Sequence, residues 1–166
     1  MIEGTGWSVE AVHTPGHTSN HLCFALREED ALLCGDHVMG WSTTIVSPPD
    51  GDMGDYLASL DKLKARGHRT FWPTHGAPIQ DPAGYIDALA AHRHERADQV
   101  LACLADGVDT IREMVPLMYA RDVPEAMYPA AARSVFSTVI WLVETGRVAC
   151  DGAPAMEARY RLAGGA

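Results

Sequence analysis

Three short polar clusters carry residues able to do chemistry: Thr14-Pro15-Gly16-His17-Thr18-Ser19-Asn20-His21, Gly35-Asp36-His37 and Thr74-His75-Gly76. Within them His17, Asp36 and His75 are separated by 19 and 39 residues, and each follows a run that reads as a β-strand. Ligands in open α/β sheets gather outside the carboxyl ends of strands, so the three could converge. Imidazole suits zinc and similar borderline metals, and a carboxylate can bridge two ions. A bridged pair of metals generates hydroxide at neutral pH and polarises a carbonyl or phosphoryl oxygen. Each residue also has a plainer reading. A single histidine is commonly structural, and Gly-Asp after a strand is a common turn. His21 lies four residues past His17, but Pro15-Gly16 argues against a helix that would align the two rings. We read His21 as supporting His17 rather than as a ligand. His13 and His37 read as polar neighbours, His68 as part of a surface turn, and His92 and His94 as members of a charged helix.

The elements that must position these groups follow from periodicity. Trp7 to His13 alternates as a strand, with Trp7, Val9 and Ala11 on one face and Ser8, Glu10 and Val12 on the other; Pro15-Gly16 stops it. His21 to Leu26 and Ala31 to Cys34 read as a hairpin of buried strands about the turn Glu28-Glu29-Asp30. A long loop, Trp41 to Asp52, precedes a helix marked by Met53, Tyr56, Leu57, Leu60 and Leu63, with Asp52 or Asp55 as its cap. Arg69 to Trp72 reads as a strand delivering His75. Asp81-Pro82 starts a helix that runs to about Leu104. The order predicts a mixed α/β layer. The tail reads as helix (Thr110 to Tyr119), turn (Asp122-Val123-Pro124), helix (Tyr128 to Thr145) and two short strands, the layout of a winged helix. In the last helix Val135, Phe136, Val139, Ile140 and Val143 form the expected apolar stripe. We divide the chain into 1–91 and 92–166, with Gly164-Gly165-Ala166 as a low-complexity end.

Composition bounds the reading further. The 166 residues are 47% hydrophobic and 21% charged, as in soluble globular proteins, and carry a net charge of −9. No run approaches a membrane span and Met1-Ile2-Glu3-Gly4 does not resemble a signal peptide, so a cytoplasmic protein without membrane partners is expected. Cys23, Cys34, Cys103 and Cys150 lack C-x-x-C pairing and read as reduced thiols. The expected recognition helix, Tyr128 to Thr145, offers only Arg133 as a cation against Glu144, which argues against duplex DNA binding.

The motifs Thr14-Pro15-Gly16-His17-Thr18 with His21, Gly35-Asp36 and His75-Gly76 resemble, in order, the later metal motifs of the metallo-β-lactamase-fold hydrolases. Ser47-Pro48-Pro49-Asp50-Gly51-Asp52-Met53 with Tyr56 and Ser59-Leu60, His92-Arg93-x-x-Arg96 and the winged-helix tail are similar to the β-lactamase-like protein 2 subgroup. The resemblance implies that His17 binds a first zinc ion, Asp36 bridges two, and His75 binds the second. It implies an α/β fold, the second half of an αββα sandwich followed by a small winged-helix domain. The family's H-x-H-x-D-H motif, which supplies four further ligands, is absent. The chain resembles the carboxyl-terminal half of a whole enzyme that hydrolyses an ester, thioester, lactone or phosphodiester, on a small-molecule or RNA substrate. Little activity is expected of this chain alone, with partial or absent zinc. An open sheet edge and uncovered apolar face would favour homo-oligomers. The alternative is a non-catalytic binding or assembly module, with nucleic-acid binding ranked below it.

Overall fold

Consecutive short runs, most of them apolar on both faces, build a five-stranded sheet. In the computed structural model, β1 (Ile2–Gly4), β2 (Trp7–His13), β3 (Leu22–Leu26), β4 (Ala31–Gly35) and β5 (Thr70–Pro73) lie side by side in chain order. The first three pairings are antiparallel and β4–β5 is parallel. The structure describes residues 1–121 and 123–164; Asp122 of the expected turn and Gly165-Ala166 of the expected low-complexity end lie outside them. β1 is an element the sequence reading lacked.

α1 (Met53–Arg66) spans the connection between β4 and β5. The Asp52 carboxylate accepts from the Asp55 N–H at 2.7 Å, and Gly67, in the left-handed region, closes the far end. α2 (Pro82–Ala105) follows β5. The chain forms two compact units, Met1–Ala91 and His92–Ala166.

In the first unit, one sheet face buries Val12, Cys23, Ala25, Leu32, Cys34 and Phe71, while α1 buries Met53, Tyr56, Leu60 and Leu63 and α2 buries Ile86 and Leu89. Each large aliphatic or aromatic side chain so buried contributes roughly 1.5–3 kcal/mol. The opposite face is apolar and bare. Trp7 (45% exposed), Leu22 (41%), Leu33 (47%) and Trp72 (49%) stand on it, with Phe24, Leu33 and Trp72 in register across three strands. A hollow of about 500 Å³ on this face is lined by Leu22, Phe24, Leu33, Gly35, Trp72, Pro73 and Thr74.

In the second unit, α3 (Ile111–Tyr119) is capped by Thr110, whose hydroxyl accepts from the Glu113 N–H and donates to the Glu113 carboxylate at 2.6 Å. A 3₁₀ turn (Glu125–Met127) leads into α4 (Tyr128–Glu144), and β6 (Val148–Cys150) pairs antiparallel with β7 (Tyr160–Leu162). The buried stripe of α4 is Ala131, Val135, Val139 and Leu142, packed with Met114, Val115, Val148 and Tyr160. It is rotated from the expected one, leaving Phe136, Ile140 and Val143 half-buried.

Contrary to the expectation that no run approaches a membrane span, Glu125–Glu144 is long and apolar enough to cross one by length and composition. Its buried stripe belongs to the core of this unit, and a core helix passes the same test. Among the described residues all four cysteines are free, with Cys23, Cys34 and Cys103 buried and Cys150 half-buried.

Candidate metal centre

Each expected site residue leaves the sheet at a strand end or in the loop just after it, and α1 fixes the first. The Pro-Gly turn after β2 has three carbonyls satisfied from that helix and its cap. The Lys62 ammonium donates to His13 O at 2.8 Å, the Ser59 hydroxyl to Pro15 O at 2.8 Å, and the Asp52 N–H to Gly16 O at 2.9 Å. Gly16 has φ 134°, and a Cβ there would collide with the backbone of Tyr56. Only glycine lets the turn lie this close to the helix.

His17, delivered by this turn, has Nδ1 2.6 Å from the Ile45 carbonyl. A carbonyl only accepts, so Nδ1 carries the proton and Nε2 of the neutral ring keeps its lone pair. Such a carbonyl is the usual partner of a metal-binding imidazole. Thr44, buried in the same loop, places Oγ1 3.3 Å from His17 Nδ1 and donates to the Asp36 backbone carbonyl.

Asp36 follows Gly35 at the end of β4. Its Oδ1 is shielded from solvent and has no hydrogen-bond partner among the described residues, and His75 Nε2 lies 3.7 Å from it. His75 is brought there by β5 through two backbone bonds, Thr74 N–H to Gly35 O at 3.1 Å and Gly40 N–H to His75 O at 2.8 Å. Asp36 and His75 thus converge directly, while Thr44 links the Asp36 backbone to the His17 ring.

His21 lies behind this group. Its Nδ1 is 2.9 Å from the Thr14 hydroxyl, which also lies 3.2 Å from the Cys23 thiol, and its ring is edge-on to His17 with centroids 6.2 Å apart. Burial, then the His17 charge, lowers its pKa. His37, expected as a polar neighbour, is instead completely buried, with its ring 5.4 Å from His21 and 4.7 Å from Tyr56. Burial first, then His21 and His17, push its pKa down to about 3, so it is a neutral core residue. Thr14, Thr44 and Ile45 escaped the sequence reading. Thr14 stood inside the quoted motif, whereas nothing local marked the other two.

The donor chemistry fits a divalent cation in part. His17 Nε2 and the shielded Asp36 Oδ1 are suited to one, and Asp36 and His75 form a pair. The number does not fit. Among the described residues no group of three or more His, Cys, Asp or Glu side chains is placed to hold an ion. Structural zinc takes four protein ligands and catalytic zinc three.

Comparison with known proteins identifies the family. Residues 2–75 match the metallo-beta-lactamase superfamily, and residues 110–155 match the beta-lactamase associated winged helix domain. The lactamase-like protein vrtG of Penicillium aethiopicum is 34% identical over 94% of this chain and 52% of its own length. The atrochrysone carboxyl ACP thioesterase AacuM of Aspergillus aculeatus is 34% identical over 87% of this chain and 48% of its own. The crystal structure of the metallo-beta-lactamase family protein TTHA1429 from Thermus thermophilus superposes with a TM-score of 0.80 at 29% identity, covering 97% of this chain and 51% of that one. The chain belongs to the metallo-beta-lactamase superfamily and carries its associated winged-helix domain. It spans about half the length of the curated relatives it matches.

Proposed function

We propose that this chain is the carboxyl-terminal portion of a metal-dependent hydrolase, and that it supplies His17, Asp36 and His75 to a two-zinc centre. The reading is carried by one observation: the Asp36 carboxylate and the His75 imidazole meet at 3.7 Å beyond the ends of β4 and β5. When bound, divalent cations supply such a site with water ionised at neutral pH and with charge that polarises the scissile group. The chain's own part is to hold donors. The Ile45 carbonyl aims His17, Gly35 and Thr74 bring Asp36 and His75 together, and α1 fixes the turn that carries His17.

The thioesterase named among the relatives makes a thioester the first substrate to test, ahead of esters, lactones and phosphodiesters. Because three donors are fewer than a two-zinc centre needs, the chain alone is expected to be weakly active or inactive. Zinc content by mass spectrometry and turnover of an acyl thioester test this. The expected result is substoichiometric zinc and no turnover for the chain alone, with both rising on addition of a polypeptide bearing the H-x-H-x-D-H half. His17→Ala and Asp36→Ala should abolish that rise. Two equivalents of zinc and turnover in the chain alone would overturn the proposal.

A second reading, an assembly module, is favoured by the bare apolar face of Trp7, Leu22, Leu33 and Trp72. A contiguous apolar patch of this kind marks an interaction surface. Self-association of the isolated chain through this face is the corresponding proposal.

A further inference from the structure

The six residues Gly40–Ile45 touch all three proposed ligands in turn. The Gly40 N–H donates to the His75 carbonyl at 2.8 Å, and Gly40 also forms a parallel bridge with Gly76. The Thr44 hydroxyl donates to the Asp36 carbonyl, and its oxygen lies 3.3 Å from His17 Nδ1. The Ile45 carbonyl accepts from the same nitrogen at 2.6 Å. Thr44 and Val46 are buried while Ile45 between them is exposed, so at this end of the segment alternate side chains point inward.

Hydrogen-bond polarity makes this a directed chain. The Thr44 hydroxyl has one proton and commits it to the Asp36 carbonyl, so toward His17 it can only accept. Both neighbours of His17 Nδ1 are therefore acceptors, which is satisfied by one neutral tautomer alone. The Nε2 lone pair is thereby left clear for a cation in the absence of any metal.

We infer that Thr44 is a positioning residue: its hydroxyl ties the His17 imidazole to the Asp36 backbone and so fixes the spacing of the two ligands, while the Ile45 carbonyl holds the tautomer of His17. The inference rests on the ligand reading of His17 and Asp36. It adds that their arrangement is preorganised by a loop lying outside all three motifs. Serine in place of threonine retains the device, and alanine removes it.

The test is long-range ¹H–¹⁵N spectroscopy of the full ¹⁵N-labelled chain, metal-free, at a pH where imidazoles are neutral, with His17→Gln used for assignment. The wild-type chain and Thr44→Ser should show His17 protonated at Nδ1. Thr44→Ala should keep the Nδ1–H tautomer, which the Ile45 carbonyl still holds, but shift the Nδ1 resonance and speed exchange of its proton with solvent as the tie to Asp36 is lost. An Nε2–H tautomer in the wild-type chain overturns the inference without need of a variant. So does a Thr44→Ala spectrum unchanged from wild type. Because neither metal nor substrate is present, the hydrolase proposal can fail while the tautomer result stands, and the reverse.

Discussion

His21 Nε2 lies 2.7 Å from the point a Cβ on Gly35 would occupy. Gly35 is the residue that hands the chain from β4 to Asp36, and it does so at φ 59°. Backbone conformation and side-chain space therefore demand glycine for two separate reasons. Gly35→Ala should lose about 1–2 kcal/mol from the left-handed backbone alone, and more from displacing the imidazole. Urea unfolding measures this, and an unchanged midpoint would show that the turn relaxes freely.

The bare sheet face should govern association. Leu33→Lys and Trp72→Glu place charges at the centre of the patch. If each forfeits the burial of one large apolar side chain, about 1.5–3 kcal/mol, self-association should weaken at least roughly tenfold. Sedimentation velocity against concentration reads this directly. A wild-type chain that stays monomeric at high concentration would sink the proposal.

Thiol reactivity should be graded. Burial pushes the Cys23 thiol up to about 11 and the Cys34 thiol up to about 12, and burial also raises Cys103. The thiolate is the reactive form, so these three should resist labelling in the native chain. Half-buried Cys150 should react first, with the rest following only on unfolding. Mass spectrometry after a timed pulse of iodoacetamide distinguishes the sites.

Glu10 should contribute to the acid limb of stability. Its carboxylate bonds Arg66 of α1 at 2.7 Å and Arg27 at 3.5 Å, and the Arg66 hydrogen bond is the chief cause of its lowered pKa. A carboxyl group with a depressed folded pKa binds protons more readily when unfolded. Its stabilisation is therefore present above the unfolded value of 4.5 and is lost as pH falls through the lower folded one. Glu10→Gln should flatten that part of the melting temperature against pH profile and leave the neutral region nearly unchanged, since exposed pairs contribute little.

Much of the site was legible because its residues follow strand ends and sit beside turn-forming Pro and Gly. The hydrogen-bonded frame was not. Thr44 and Ile45 act on His17 from 27 and 28 residues away, and no local pattern encodes such a contact. β1 was missed because three residues show too little alternation. Alternation in β2 sorted its faces correctly but did not say which one α1 covers. The helix side is the one with Glu10, bonded to Arg66, and the buried Val12, leaving apolar Trp7, Val9 and Ala11 on the bare side. The stripe of α4 was read one step off because the helix is apolar around most of its circumference, so periodicity alone could not fix its phase.

The three bonds from α1 and its cap to the carbonyls of His13, Pro15 and Gly16 couple the helix to the turn that carries His17. The turn cannot open without freeing Lys62, Ser59 and the Asp52 N–H. The helix, in turn, cannot unwind from its amino end without releasing the turn. Helix and turn thus form one cooperative opening unit. In native-state hydrogen exchange, the amides of α1 and the backbone around His17 should share a single opening free energy, making the placement of the His17 ring a property of a helix distant from it in sequence.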